Sequence, residues 1–96
     1  MTAYAVFTRE STQDPAELAT YNATVKPTFE GHPITFHALY GEFEVLEGPP
    51  IEGMVIVSFP TMAAARDWYH SPAYQAVAQH RFRGATYRCV LVEGVD

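Results

Sequence analysis

Residues 65–81 read ARDWYHSPAYQAVAQHR, placing Trp68, Tyr69, His70, Tyr74 and His80 in one short stretch that ends on Arg81. Phenols and imidazoles at this density can pass protons. An arginine beside them can anchor a carboxylate or an enolate. Two further candidates lie upstream. His37 sits in an apolar run, and Glu47 closes a segment rich in glutamate. The four histidines, His32, His37, His70 and His80, lack metal-site spacing with carboxylates, so no metal site is expected. There is no Gly-rich phosphate loop, nucleophile elbow or triad spacing. No cofactor motif is visible, so any chemistry is expected to run without a cofactor.

The elements decide which of these side chains can meet. Pro72 disfavours helix at Ser71, so one helix stops near His70, and Ser71 caps a second with Pro72 at its first position. The stretch is therefore two helices meeting at a corner. In the first, Met62, Ala65 and Tyr69 share a stripe flanked by Ala64 and Trp68, which suits packing on a sheet. In the second, Tyr74, Val77, Ala78 and Arg81 share the inward face, and His80 turns away from it. An inward arginine needs an anion or carbonyl groups around it. A protein carboxylate such as Glu47 is one source, and a ligand is the other.

Upstream, Ala3–Thr8 reads as a buried strand. Asp14-Pro15-Ala16-Glu17 starts a helix, with Asp14 as its cap. Leu18, Tyr21, Val25 and Phe29 form its apolar stripe, and Pro27 ends or kinks it near Lys26. Ile34–Tyr40 alternates, with Ile34, Phe36, Ala38 and Tyr40 on one face and Thr35, His37 and Leu39 on the other. A bulge or bend is expected at Gly41, with strand resuming over Glu42–Glu47. There Glu47 shares a face with Phe43 and Val45, opposite Glu42 and Glu44. Met54–Phe59, apolar on both faces, reads as a central strand. Thr61 caps the next helix, and Ala85–Glu93 closes as a strand.

The order is βαββαβ, the ferredoxin-like α+β plan: an antiparallel sheet with helices on one face. Met54, Ile56 and Ser58 alternate with Val55, Val57 and Phe59, and Val90 and Val92 oppose Cys89 and Leu91. Neither sheet face is strongly polar. The uncovered face needs a partner, and a second copy of the sheet would supply one. A homodimer is expected.

Composition bounds the remaining classes. The 96 residues suit one domain, 1–96, and 48% of them are apolar, which fits a globular protein. Six basic against eleven acidic residues, net charge −5, argue against a nucleic-acid surface. No apolar run reaches the roughly 18–20 residues of a membrane span, and no leader is apparent. A cytoplasmic protein is expected. The single cysteine, Cys89, cannot form an internal disulfide and reads as a small buried apolar residue.

Several segments together resemble a bacterial family, domain of unknown function 1330. They are EVLEG (44–48), VIVSFPTMAAARDWYHSPAYQAVAQHR (55–81) and VLVEG (90–94). The resemblance covers most of the chain and implies a dimeric α+β barrel of ferredoxin-like protomers. The family's recurrent residues match at Glu47, Gly48, Trp68, Tyr69, Ser71, Pro72, Tyr74, Gln75 and Arg81. Members also carry two arginines where this chain reads EGHPI (30–34) and HALYGE (37–42). Their absence implies a less acidic ligand, or none.

The expected function is a homodimer that binds or transforms a small carbonyl- or carboxylate-bearing metabolite. Arg81 would anchor it, Tyr74 and His37 would donate or accept protons, and Trp68, Ser71 and Glu47 would complete the site. The alternative is a non-catalytic ligand-binding or interaction module in which Arg81 pairs with Glu47.

Overall fold

The computed structural model describes residues 1–96. The elements run β1 (Ala3–Thr12), α1 (Pro15–Thr24), a 3-10 turn (Lys26–Phe29), β2 (Thr35–Leu39), β3 (Gly53–Phe59), α2 (Met62–Tyr69), α3 (Pro72–Gly84) and β4 (Ala85–Glu93). The four strands form one antiparallel sheet in the order β2-β3-β1-β4. This is the ferredoxin-like α+β arrangement expected from the pattern.

Each helix starts where its capping residue predicts. Asp14 accepts from the backbone N–H groups of Ala16 and Glu17, at 3.1 and 3.4 Å. The Thr61 hydroxyl accepts from Ala64 N–H at 3.0 Å. The Ser71 hydroxyl accepts from Tyr74 N–H at 3.2 Å and donates to the Trp68 carbonyl at 2.8 Å. That second bond fixes the corner between α2 and α3, so Ser71 satisfies orphan backbone groups of both helices. Pro27 ends α1 as expected, with the chain tightening into the 3-10 turn.

Register assigns the sheet faces. Ala3, Ala5 and Phe7 pair with Phe59, Val57 and Val55 on one side, and with Glu93, Leu91 and Cys89 on the other. This is the helix-covered face. Its core joins Ala5, Phe7, Val57 and Phe59 to Ala65, Trp68, Tyr74 and Ala78. The opposite face carries Tyr4, Val6, Met54, Ile56, Val90 and Val92, none of them fully buried. The two valines are 47% and 50% exposed, so the chain leaves this apolar surface open.

Two expectations fail in the middle of the chain. The β2–β3 register shifts between Phe36 and Ala38, so the bulge lies at His37 and not at Gly41. Beyond it the alternation inverts. Ala38, opposite Ile56, faces the open side, while Leu39, opposite Val55, joins Phe36 on the helix side. Second, Glu42–Glu47 forms no strand. Residues 41–50 are irregular and exposed. Tyr40, at φ +52°, turns the chain out of β2 into this segment. The left-handed backbone is costly for a bulky residue, and it stops the strand from continuing.

Candidate functional site

Arg81 lies on α3 one turn from Ala78 and two from Tyr74, so helix geometry aims it at the sheet. It is 3% exposed and forms no ion pair. Its Nε has no hydrogen-bond partner. Aromatic rings surround the guanidinium instead. Its carbon lies 4.9 Å from the Tyr87 ring centre, 5.0 Å from Phe82, 5.3 Å from Phe7 and 5.9 Å from Tyr21. Such contacts are worth about 0.5–2 kcal/mol each. Burying an ion costs several kcal/mol, which the rings offset in part or in full without supplying a counter-charge.

The same guanidinium lines a cavity of about 580 Å³ between the sheet and α1. Phe7, Phe29, Phe36 and Trp68 give it aromatic walls, and Asn22 and Lys26 add polar groups from exposed positions. Its volume falls within the range of small-ligand sites. No aspartate, glutamate or histidine lines it.

Two tyrosine pairs stand close to Arg81. The Tyr21 and Tyr74 hydroxyls are 3.0 Å apart, and those of Tyr40 and Tyr87 are 2.5 Å apart. Burial pushes the Tyr21, Tyr40 and Tyr74 hydroxyls above the ordinary phenol range, so all three stay protonated at neutral pH. Burial opposes the charge on Arg81, but the Tyr74 and Tyr21 phenols outweigh it and the net shift is upward. Burial likewise raises the Cys89 thiol, which keeps it unreactive.

The expected site residues separate. Arg81 and Trp68 line the cavity together, and the Trp68 indole donates to the Thr28 hydroxyl at 3.4 Å. Tyr74 is wholly buried behind the lining, where its hydroxyl meets Tyr21 and stands close to Arg81. Ser71 is consumed by the helix corner and lines no part of the cavity. Glu47 falls in the exposed segment and pairs with no cation, because the strand expected to aim it does not form. His37 stands apart from the cavity. It lies on the open face, opposite Phe36 as the alternation expects, where Nε2 meets the Ser58 hydroxyl at 2.7 Å and its ring lies 5.8 Å from Tyr4. The sheet separates it from Arg81, so the two cannot act on one small molecule.

Tyr21, Tyr40 and Tyr87 were not among the expected site residues. Tyr21 was legible as part of the α1 stripe. Tyr87 shares a face with Cys89 and Leu91 on β4, which the alternation could have shown. Tyr40 was legible on the face of Phe36, but the left-handed backbone that turns the chain there was not.

The family model described as "Domain of unknown function (DUF1330)" matches residues 2–95. The chain belongs to this family. No curated protein matches it. Among solved structures, this DUF1330 chain is similar to a protein of unknown function from Rhodopseudomonas palustris. That match has a TM-score of 0.76 and 19% identity, covering 99% of this chain and 83% of that one. A dabb family protein with a ferredoxin-like fold from Mesorhizobium loti gives a TM-score of 0.68 at 11% identity, over 99% and 98% of the two chains. SnoaB, a cofactor-independent oxygenase from Streptomyces nogalater, gives 0.56 at 16%, over 99% and 92%. At these identities the likeness is one of fold. No helix of this chain is long and apolar enough to cross a membrane.

Proposed function

We propose that the protein is a cytoplasmic homodimer whose protomers each bind one small, mostly apolar molecule bearing a carbonyl or carboxylate group. The observation that carries this reading is Arg81, buried in the wall of an apolar cavity without a carboxylate of the protein's own. A ligand oxygen is the missing partner. The open apolar sheet face supports the dimer, as do the dimeric ferredoxin-like proteins of similar structure from Thermobifida fusca and Bacteroides fragilis.

Binding is favoured over catalysis. The commonest general bases are imidazole and carboxylate, and neither lines the cavity. Burial keeps the Tyr21 and Tyr40 hydroxyls of its lining protonated. The fold likeness to a cofactor-independent oxygenase supports a second reading, in which a substrate acidic enough to ionise by itself reacts in the cavity.

A thermal-shift screen of small carbonyl compounds and acids tests the first reading. A ligand at one hundred times its Kd stabilises the fold by about 2.7 kcal/mol. The rise in melting temperature should vanish in Val55→Phe, which fills the cavity from β3. If every compound leaves the melting temperature unchanged, or if Val55→Phe responds as the parent does, the cavity is not the site.

A further inference from the structure

We infer that the cavity selects its ligand as a monoanion: a flat apolar body carrying one ionised oxygen group, a carboxylate or a phenolate. This rests on the reading of the cavity as a ligand site and assigns that site its chemical class.

The first support is the balance of hydrogen-bonding groups. A guanidinium carries five N–H donors and no acceptor. Within each tyrosine pair one hydroxyl donates to the other, so one proton per pair is left over. Arg81, Tyr21 with Tyr74, and Tyr40 with Tyr87 thus present surplus donors at one end of the cavity. Apart from the hydroxyls themselves, the lining side chains hold one acceptor, the amide of exposed Asn22. Such an arrangement is matched by an oxygen with several lone pairs, best of all a charged one.

Charge bounds the class further. Arg81 is the one buried cation in the lining, and the other, Lys26, is exposed and hydrated. One desolvated positive charge suits one negative charge. A phosphate dianion would remain half unpaired, which is costly in such surroundings. A sugar would lose water from hydroxyls that the apolar walls cannot bond. The aromatic walls at Phe7, Phe29, Phe36 and Trp68 fit a planar body.

The groups facing Arg81 bear on any ionisation in the site. They are Tyr21 from α1, Tyr69 at the end of α2, Tyr74 from α3, Tyr40 after β2, and Tyr87 and Cys89 from β4. No carboxylate stands among them, and burial raises the Tyr21, Tyr40 and Tyr74 hydroxyls and the Cys89 thiol, which favours their neutral forms. The site therefore favours the ionised form of a bound acid over its neutral form, by the charge of Arg81 alone.

Three probes test this on the intact protein: 2-naphthoate, neutral naphthalene, and 4-nitrophenol, whose protonation states differ in colour. Calorimetry should show 2-naphthoate binding at least about tenfold more tightly than naphthalene. Bound 4-nitrophenol should ionise about one pH unit below its free value, since one unit equals a tenfold preference for the anion. Arg81→Met should erase both effects, and Arg81→Lys should keep part of each. Should Arg81→Met fail to fold, Tyr87→Phe provides the second variant, lowering the anion preference several-fold while sparing naphthalene. The tighter of the two anions names the oxygen group. Equal binding of naphthalene and 2-naphthoate would overturn the inference and leave the cavity as a neutral-ligand site. So would an anion preference that persists in a folded Arg81→Met. If no probe binds, the cavity reading fails with it.

Discussion

The hydroxyls of Tyr21 and Tyr74 lie 3.0 Å apart and tie α1 to α3 beside a buried guanidinium. Both rings are buried, and the two hydroxyls are hydrogen-bond partners. Removing one leaves its mate unsatisfied at a cost of about 1–3 kcal/mol, while removing both leaves no orphan. Tyr21→Phe and Tyr74→Phe should each lower stability by about 1–2 kcal/mol. The double variant should lose clearly less than their sum. Urea denaturation of the four proteins checks this. Strict additivity would show that the two hydroxyls act separately.

Arg81 has the opposite character. Its charge is buried among rings without a carboxylate, a cost that a ligand would relieve. Replacing a buried ion by an apolar side chain of similar length is neutral, or stabilising by about 1–4 kcal/mol. Arg81→Met should therefore match or exceed the parent in stability without ligand, while losing affinity for anions. Each kcal/mol gained would raise the melting temperature by about 4–8 °C in a domain this size. A marked loss of stability would instead make the aromatic surround of Arg81 a structural device.

What the sequence disclosed followed the local periodicities. Asp14, Thr61 and Ser71 mark helix starts because their side chains bond backbone only a few residues away. Arg81 was legible as inward because Tyr74, Val77 and Ala78 fix the face of α3. The middle of the chain was not legible. Glu42–Val45 alternates like a strand, yet alternation makes a strand only where another strand pairs with it, and none does. The bulge at His37 moves Ala38 and Leu39 to the other faces, and its position depends on pairing with β3. For this reason Leu39, which the alternation set opposite Phe36, lines the cavity beside it.

Glu17 gives a pH dependence with a defined sign. Its carboxylate meets His80 at 2.7 Å and Arg83 at 3.4 Å, linking α1 to α3. The hydrogen bond to His80, with Arg83 behind it, holds the Glu17 carboxyl below its ordinary value. A carboxyl whose folded value is depressed adds stability above its unfolded value, and that stability is lost as pH falls through the folded one. Glu17→Gln should thus melt below the parent at neutral pH, and the two should converge in acid below the carboxylate range. Melting temperatures across pH test this. A gap that stays constant into acid would assign the loss to packing.

The open sheet face makes the assembly testable without disturbing the core. Val90 and Val92 are half exposed and point away from the helices, so a charge at either is solvated in a lone protomer. Between two sheets the same charge is buried, and symmetry places a second one near it. Like charges buried without partners cost several kcal/mol. Val92→Glu should therefore leave the helical circular dichroism intact but convert a dimer into single chains in sedimentation velocity at micromolar concentration. Retention of the dimer by Val92→Glu together with Val90→Glu would move the interface away from this face. The exposed Phe43, Val45 and Leu46 of the irregular segment would then be the next surface to charge.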